Sequence, residues 1–209
     1  MINKKMFFFI LIALSIYISE LNQIILNIED LTTSNLAEKL TYKQLLEYSS
    51  LKEKWKVVGY IIIPIYFLIK ISLISAILDI GCFFFSKEIK YKKLFNIVVK
   101  AEFTFLLVII FKTVWFYFFQ PSYTLEDLQY FYPLSSLNII GYQGLETWFI
   151  YPLQIVNLFE IAYWFILAYL IGKEINDTTE KGFTIVASSY GVGLLIWVVG
   201  VMFLTLNMS

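Results

Sequence analysis

Five long apolar segments, separated by polar ones, dominate the hydropathy pattern of the chain. About 20 apolar residues in a helix cross the hydrocarbon core of a bilayer, and each segment is near that length. The pattern therefore predicts an all-α fold, a polytopic transmembrane helical bundle with a single membrane domain over residues 1–209. The five predicted spans cover approximately residues 6–26, 57–85, 102–119, 148–171 and 183–206.

The first apolar segment follows Lys4 and Lys5, an arrangement that signal peptides and membrane helices share. No clear small-x-small cleavage site comes after it, and apolar residues resume at Ile24. We therefore expect this segment to remain in the protein as its first span.

The first and third polar loops carry patterns typical of short amphipathic helices at the membrane surface. In the first loop, Thr41 and Gln44 fit a capping box, and leucines and aromatic residues follow at helical spacing. The third loop, residues 120–147, contains prolines, glycines and many tyrosines but no lysine. Aromatic residues of this kind prefer the boundary between membrane and water, so we predict interfacial helices there as well.

The distribution of lysine predicts the orientation of the chain. With the N-terminus in the cytoplasm, nine lysines lie on the inside and five on the outside, all five in the first loop. Cytoplasmic loops carry the excess of basic residues in membrane proteins. We expect a cytoplasmic N-terminus and, with five spans, a C-terminus on the opposite side.

The composition narrows the possible chemistry. Hydrophobic residues make up 59% of the chain and the net charge is zero, so nothing indicates nucleic-acid binding. The chain has no histidine and one cysteine, Cys82, which excludes an internal disulfide, a multi-cysteine metal site and histidine-based catalysis. We expect Cys82 to be a buried, inert thiol, with acylation as the alternative. No nucleophile–base pair is visible, so we predict a non-enzymatic protein without a metal or cofactor.

Three charged residues lie near the middle of predicted spans, and a fourth lies farther along the second span; we take these four as candidates for intramembrane ion pairs: Lys70, Lys112, Glu160 and Asp79. A charge near the bilayer centre costs about 2.5–3.5 kcal/mol on insertion scales, so it usually has a partner or a function. One hypothesis pairs Glu160 with Lys112 or Lys70. A second has the lysines reach the interface while Glu160 is protonated or bonded to a tyrosine. A third gives these residues a role in transport or proton relay.

Other residues are candidates for helix packing and lipid binding. Small residues on one helix face allow backbones to approach closely, a pattern shown by Ser72, Ser75, Ser189, Gly193 and Gly200. We expect packing within the chain there, with a dimer contact as the alternative. In the second loop, the candidates for anionic lipid headgroups are Lys90, Lys92 and Lys93, which otherwise only set the topology.

Two segments resemble the membrane domain of the Yip (Ypt-interacting protein) family. They are KYKKLFNIVVKAEFTFLL at 90–107 and YPLQIVNLFEIAYWFILAYLIG at 151–172, together with the polar turn and small-residue span that follow. The upstream FYPLSSLNII at 131–140 is similar to bacterial relatives, especially those of Bacteroidetes. The resemblance implies five spans with a cytoplasmic N-terminus, and it supplies no catalytic motif.

These observations lead us to expect an accessory or interaction subunit of a larger assembly in a bacterial inner membrane. Its partners would be membrane lipid and other membrane protein subunits. The alternative is a small oligomeric transporter or channel that uses Glu160, Lys112 and Lys70. Discontinuous helices would favour the transporter.

Overall fold

The structure, a computed structural model, describes residues 4–208 and the side chains of residues 6–208. Lys4 and Lys5, which contribute to the predicted orientation, therefore have side chains outside the described part. All the regular secondary structure within residues 4–208 is helical. Its helices are α1 (Lys4–Ile25), α2 (Ile28–Ala37), α3 (Tyr42–Phe84), α4 (Tyr91–Phe118), α5 (Leu125–Tyr130), α6 (Ser136–Ile140), α7 (Thr147–Ile155), α8 (Leu158–Glu174), α9 (Thr179–Val186) and α10 (Val192–Met208), with a π-helical turn (Ala187–Gly191) joining the last two.

Four helices within residues 4–208 are long and apolar enough to cross a membrane: Met6–Ile25, Tyr42–Phe84, Tyr91–Phe118 and Thr179–Met208. Helix α3 has 43 residues and is about 64 Å long at 1.5 Å per residue. Its first part, residues 42–56, was expected to be a separate surface helix. Instead it continues directly into the apolar span, because nothing between Tyr42 and Phe84, Pro64 included, ends the helix.

Helix α4 also begins earlier than the sequence pattern predicts. It starts at Tyr91 rather than near Glu102, so the lysine-rich segment forms the first turns of the helix instead of a loop. Leu94, Ile97, Val98 and Ala101 are buried along one side of these turns. Packing of that side against the bundle explains why the helix extends through a segment with several lysines.

The predicted span at residues 148–171 is not one helix. It is divided into α7, with 9 residues, and α8, with 17 residues, and the chain leaves helical geometry at Val156 and Asn157. Asn157 caps α8, because its side-chain oxygen accepts a hydrogen bond from the Glu160 amide at 2.8 Å. The break is the main difference between the predicted and the observed architecture.

Residues 134–136 pair with the backbone at this break. The Ser136 amide donates to the Val156 carbonyl at 2.9 Å, and the Leu158 amide donates to the Leu134 carbonyl at 3.2 Å. Ser135 and Asn157, which form an isolated antiparallel bridge, are 1% and 3% exposed. Backbone groups that leave helical geometry in an apolar environment need other hydrogen-bond partners, and these bonds supply two of them at the break.

Helices α4 and α8 form the centre of the bundle, and α10 lies at its edge. The shared core includes Leu94, Val98, Tyr163, Leu167 and Ile171, whereas no residue of α10 is buried. Helix α9 packs so closely on α8 that a Cβ atom at Gly182 would lie 2.0 Å from the Ala168 carbonyl oxygen. These contacts hold the second half of the chain against α4.

Each end of the bundle has its own set of contacts. At one end, Lys87 pairs with Asp177 at 3.2 Å and Lys93 pairs with Glu174. At the other end, Leu26, Phe116 and Leu128 form a separate small core with the loop after α4. The charged residues described next lie between these two ends.

Candidate functional site

An ion pair between a partly exposed lysine and a buried glutamate joins α3 and α4 within the bundle. The Lys70 ammonium lies 2.7 Å from Oε2 of Glu102, whose side chain is 1% exposed. The ammonium also lies 4.5 Å from the centre of the Phe105 ring, one turn further along α4. Lys70 therefore has its carboxylate partner on the neighbouring helix of the same chain.

Two tyrosines link this ion pair to Glu160. The Tyr163 hydroxyl donates to Oε1 of Glu102 at 3.1 Å, and the Tyr190 hydroxyl donates to Oε1 of Glu160 at 2.8 Å. The two tyrosine rings contact each other edge to face, with centroids 5.4 Å apart. We call the set of Lys70, Glu102, Tyr163, Tyr190, Glu160 and Trp164 the carboxylate network.

The break between α7 and α8 positions Glu160. Its side chain lies in the first turn of α8, where the partial positive charge of the helix N-terminus favours an anion. Trp164, one turn later, donates its indole N–H to Oε1 of Glu160 at 3.0 Å. The carboxylate is thus held by neutral donors and a helix end, and no lysine among residues 6–208 is bonded to it.

The π-helical turn positions Tyr190. Residues 187–191 widen the helix between α9 and α10, and Tyr190 points into the core from this turn. Such turns are frequent at functional sites. Here the turn places the phenol of Tyr190 between the Tyr163 and Trp164 rings, whose centroids lie 5.4 and 5.9 Å from its own.

Both carboxylates of the network lie far along their helices from one end of the bundle. Glu102 is about 14 Å along α4 from Lys93, and Glu160 is about 21 Å along α8 from Glu174, at 1.5 Å per residue. Lys93 and Glu174 pair at that end. Glu102 therefore lies within a helix that is long and apolar enough to cross a membrane, and Glu160 lies beside it on the shorter α8.

The charges of the network do not balance when both carboxyl groups are ionised. Two buried carboxylates then face one ammonium, which leaves an excess negative charge in a medium that penalises it strongly. One proton or one monovalent cation removes that excess. Each carboxylate has one tyrosine hydroxyl beside it, Tyr163 at Glu102 and Tyr190 at Glu160, and a hydroxyl can both donate and accept a hydrogen bond. The arrangement is therefore chemically suited to taking up and releasing a proton.

The structure separates the charged residues that the sequence singles out. Lys70 pairs with Glu102 instead of Glu160, since Glu102 lies in the middle of α4 and not at its start. Lys112 donates to the Leu128 carbonyl near the end of α5. It therefore stabilises the C-terminus of that short helix rather than Glu160. Asp79 is exposed near the end of α3 and forms no hydrogen bond or ion pair with any residue in the range 4–208.

The small residues singled out for packing have different surroundings. Ser75 is buried and donates to the Ile71 carbonyl at 2.6 Å, while the Ser72 carbonyl accepts from the Tyr91 hydroxyl at 3.0 Å. Ser189 faces Gly81, where an added Cβ would lie 2.5 Å from its own Cβ. Gly193 faces Ile77 across the same helix pair, whereas Gly200 has nothing within 4 Å of an added Cβ.

The candidate lipid lysines lie at the start of α4. Lys93 is paired with Glu174, while Lys90 and Lys92 are exposed. Their position beside exposed Phe83 and Phe84 is typical of a membrane interface. Cys82 is buried nearby, with 1% exposure.

Within residues 4–208, no group of three or more histidine, cysteine, aspartate or glutamate residues is arranged to hold a metal ion. Two concavities lie away from the network. One, of about 490 Å³, is formed around Leu26 and Tyr123, and the other, of about 380 Å³, lies between α3 and α10.

Comparison of the chain with protein-family models, with curated proteins and with solved structures gives no match.

Proposed function

We propose that the protein is a small transporter or channel that moves protons across a bacterial inner membrane through the carboxylate network. The single observation that carries this proposal is the position of Glu160. It is a buried carboxylate at the start of a broken helix, hydrogen-bonded to Tyr190 and Trp164, and it forms no ion pair with a lysine among the described side chains. Helix breaks of this kind form ion and substrate sites in many transporters.

The proposed topology has five crossings, with α7 and α8 together forming a discontinuous fourth crossing. The apolar character of both helices and the backbone hydrogen bond between Val156 and Ser136, beside buried Ser135 and Asn157, support this assignment. The proposed orientation, with the N-terminus in the cytoplasm and the C-terminus in the periplasm, rests on the lysine distribution.

In the proposed cycle, Glu160 takes up a proton from one side and loses it to the other. The Lys70–Glu102 pair lies beside it, Tyr163 donates a hydrogen bond to Glu102, Tyr190 donates one to Glu160, and the two tyrosine rings are in contact. Protonation removes the excess negative charge of the network, so the protonated and ionised states differ in how strongly they hold Tyr190 and Trp164.

The test is proton flux into liposomes that contain the purified protein and an internal pH indicator, driven by a potassium gradient with valinomycin. We expect flux above that of protein-free liposomes, and its loss in Glu160→Gln and in Glu102→Gln. Asp79→Asn is the matched control, because Asp79 is an exposed acid on α3 outside the network. Flux equal to that of empty liposomes, or undiminished flux in Glu160→Gln, contradicts the proposal.

A second candidate function, an accessory subunit of a larger membrane assembly, is favoured by α10. This helix has no buried residue, and Gly200 leaves an open notch on its surface. Small residues at exposed positions of a membrane helix suit contact with another helix. Affinity purification from native membranes should then recover a stoichiometric partner that Gly200→Phe releases. Recovery of the chain without a second protein argues against this function.

The relation to the Yip family and the binding of anionic lipid are also proposals. The family relation rests on the segments at 90–107 and 151–172, and the lipid site rests on exposed Lys90 and Lys92. In each proposal the protein has no enzymatic activity of its own.

A further inference from the structure

Helix α3 has an exposed apolar stripe that no other part of the described chain covers. Along the helix the stripe comprises Tyr48, Leu51, Trp55, Val58, Ile62, Ile65 and Ile69, spaced alternately three and four residues apart. This is the spacing of the a and d positions of a heptad repeat. Leu51 is 52% exposed and Trp55 is 63% exposed.

The stripe residues from Val58 to Ile69 can face lipid, but contact with lipid does not explain why Tyr48, Leu51 and Trp55 are exposed. A helix of about 64 Å exceeds a hydrocarbon core of about 30 Å by far, so residues 42–56 project beyond it. Because α3 is continuous, these residues cannot bend down onto the membrane surface. Leu51 and Tyr48 therefore remain as apolar side chains in an aqueous or headgroup environment.

The chain's own helices lie against another side of α3. Glu29 of α2 pairs with Lys52 at 2.8 Å, and Glu20 of α1 accepts a hydrogen bond from Tyr60 at 2.8 Å. At about 100° per residue, Tyr60 lies on the opposite side of the helix from the stripe, whereas Lys52 lies at the border of the stripe. All residues of the stripe except half-buried Val58 are thus exposed, while the opposite side of α3 at Tyr60 is occupied.

We propose that a second copy of this chain covers the stripe, so that two α3 helices form a parallel coiled coil about an axis normal to the membrane. Two copies inserted in one membrane have the same orientation, so only a parallel pairing in register is possible. With Tyr48 and Trp55 at a positions, Leu51 and Val58 occupy d positions. The stripe is then complementary to itself across a two-fold axis.

The charges beside the stripe fit this pairing. Glu47 falls at a g position and Lys52 at the following e position, the two positions that approach each other across a parallel coiled coil. Each dimer therefore contains two symmetry-related pairs, in which Glu47 of one copy lies near Lys52 of the other. Lys52 is 44% exposed and its ammonium has three donors, so it can serve Glu29 and the second copy together.

Cysteine crosslinking in native membranes tests the proposal independently of any transport activity. In a Cys82→Ser background, Leu51→Cys places a thiol at the dimer axis, and Glu53→Cys places one on the opposite side of α3 as the matched control. We expect a copper-phenanthroline-induced dimer with Leu51→Cys and little with Glu53→Cys. Equal crosslinking at the two positions, or a Leu51 adduct to a different protein, overturns the proposal.

A charge exchange provides the second measurement. Glu47→Lys should weaken dimerisation of the purified protein in detergent by about fivefold, because two exposed pairs become repulsive. The double variant with Lys52→Glu should restore it. Both positions are exposed, so helix content should remain that of the wild type. A monomeric wild type in membranes and in detergent, or no rescue by the double variant, contradicts the proposed interface.

Discussion

Lys70 and Glu102 form an ion pair of 2.7 Å between two neighbouring helices that are long and apolar enough to cross a membrane, where an unpaired charge is costly. Glu102 also accepts a hydrogen bond from Tyr163 on α8. One carboxylate thereby connects α3, α4 and α8. The pair stabilises the bundle and at the same time fixes the charge next to Glu160.

Removal of one partner should destabilise the protein more than removal of both. Glu102→Gln leaves Lys70 without its buried counter-charge, so we expect a loss of about 3 kcal/mol in the free energy of unfolding. Adding Lys70→Met should recover part of that loss. Reversible unfolding by SDS in mixed micelles measures the four free energies of the double-mutant cycle. A cycle without coupling would show that the two side chains do not interact.

Glu160 and Lys112 should behave as independent sites. Glu160 is bonded to Tyr190 and Trp164, and Lys112 to the Leu128 carbonyl, so the two share no partner. The effects of Glu160→Gln and Lys112→Met on unfolding should then add to within about 0.5 kcal/mol. Rescue of the first variant by the second would instead indicate a direct pair between them.

Gly182→Ala should disrupt the contact between α8 and α9. Its added Cβ would lie 2.0 Å from the Ala168 carbonyl oxygen, and the backbone of one helix would have to move. We expect a loss of about 3 kcal/mol in unfolding free energy. Gly200→Ala is the matched control, because nothing lies within 4 Å of an added Cβ there. A similar loss in both variants would point to backbone flexibility rather than packing.

The Lys87–Asp177 pair predicts a dependence on pH at one end of the bundle. The backbone amide of Thr178 and, next, the Lys87 ammonium lower the pKa of the Asp177 carboxyl below its ordinary value of 3.8. A lowered carboxyl pKa stabilises the folded state above the ordinary value, and that contribution is lost as the pH falls through the folded pKa.

The comparison of wild type with Asp177→Asn measures this contribution. Thermal unfolding should favour the wild type by a constant margin from pH 7 down to about pH 5, and the margin should shrink below pH 4. A margin that is the same at pH 3 and pH 7 would show that the carboxylate charge is not involved.

The apolar runs were sufficient to predict an all-helical membrane protein, because the cost of burying unpaired backbone in lipid leaves few alternatives. Helix boundaries were harder to predict, since charged side chains occur within long helices when one face of the helix packs. Glu102 illustrates this: it was taken as the start of a span, yet α4 begins at Tyr91. The pairing with Lys70 depends on that shift.

A local signal for the break in the predicted fourth span was present in the sequence. Asn157 precedes Glu160 by three residues, which is the spacing of an N-terminal capping box, and Pro152 lies just before it. The uninterrupted hydrophobicity outweighed that signal. The contact of Glu160 with Tyr190 could not be predicted, because it depends on a π-helical turn that no sequence pattern here indicates.

The π-helical turn also has a consequence for insertions and deletions along the chain. Deleting one residue between Ala187 and Gly191 would return this turn to ordinary α-helical geometry and leave the helices on either side in nearly the same orientation, because a π turn holds about one residue more than an α turn. The side chains of the turn itself would be redirected, so Tyr190 would leave Glu160 while Gly193 would stay opposite Ile77. We therefore expect related chains to keep the length of this segment fixed while the exposed loops, such as residues 141–146, vary in length.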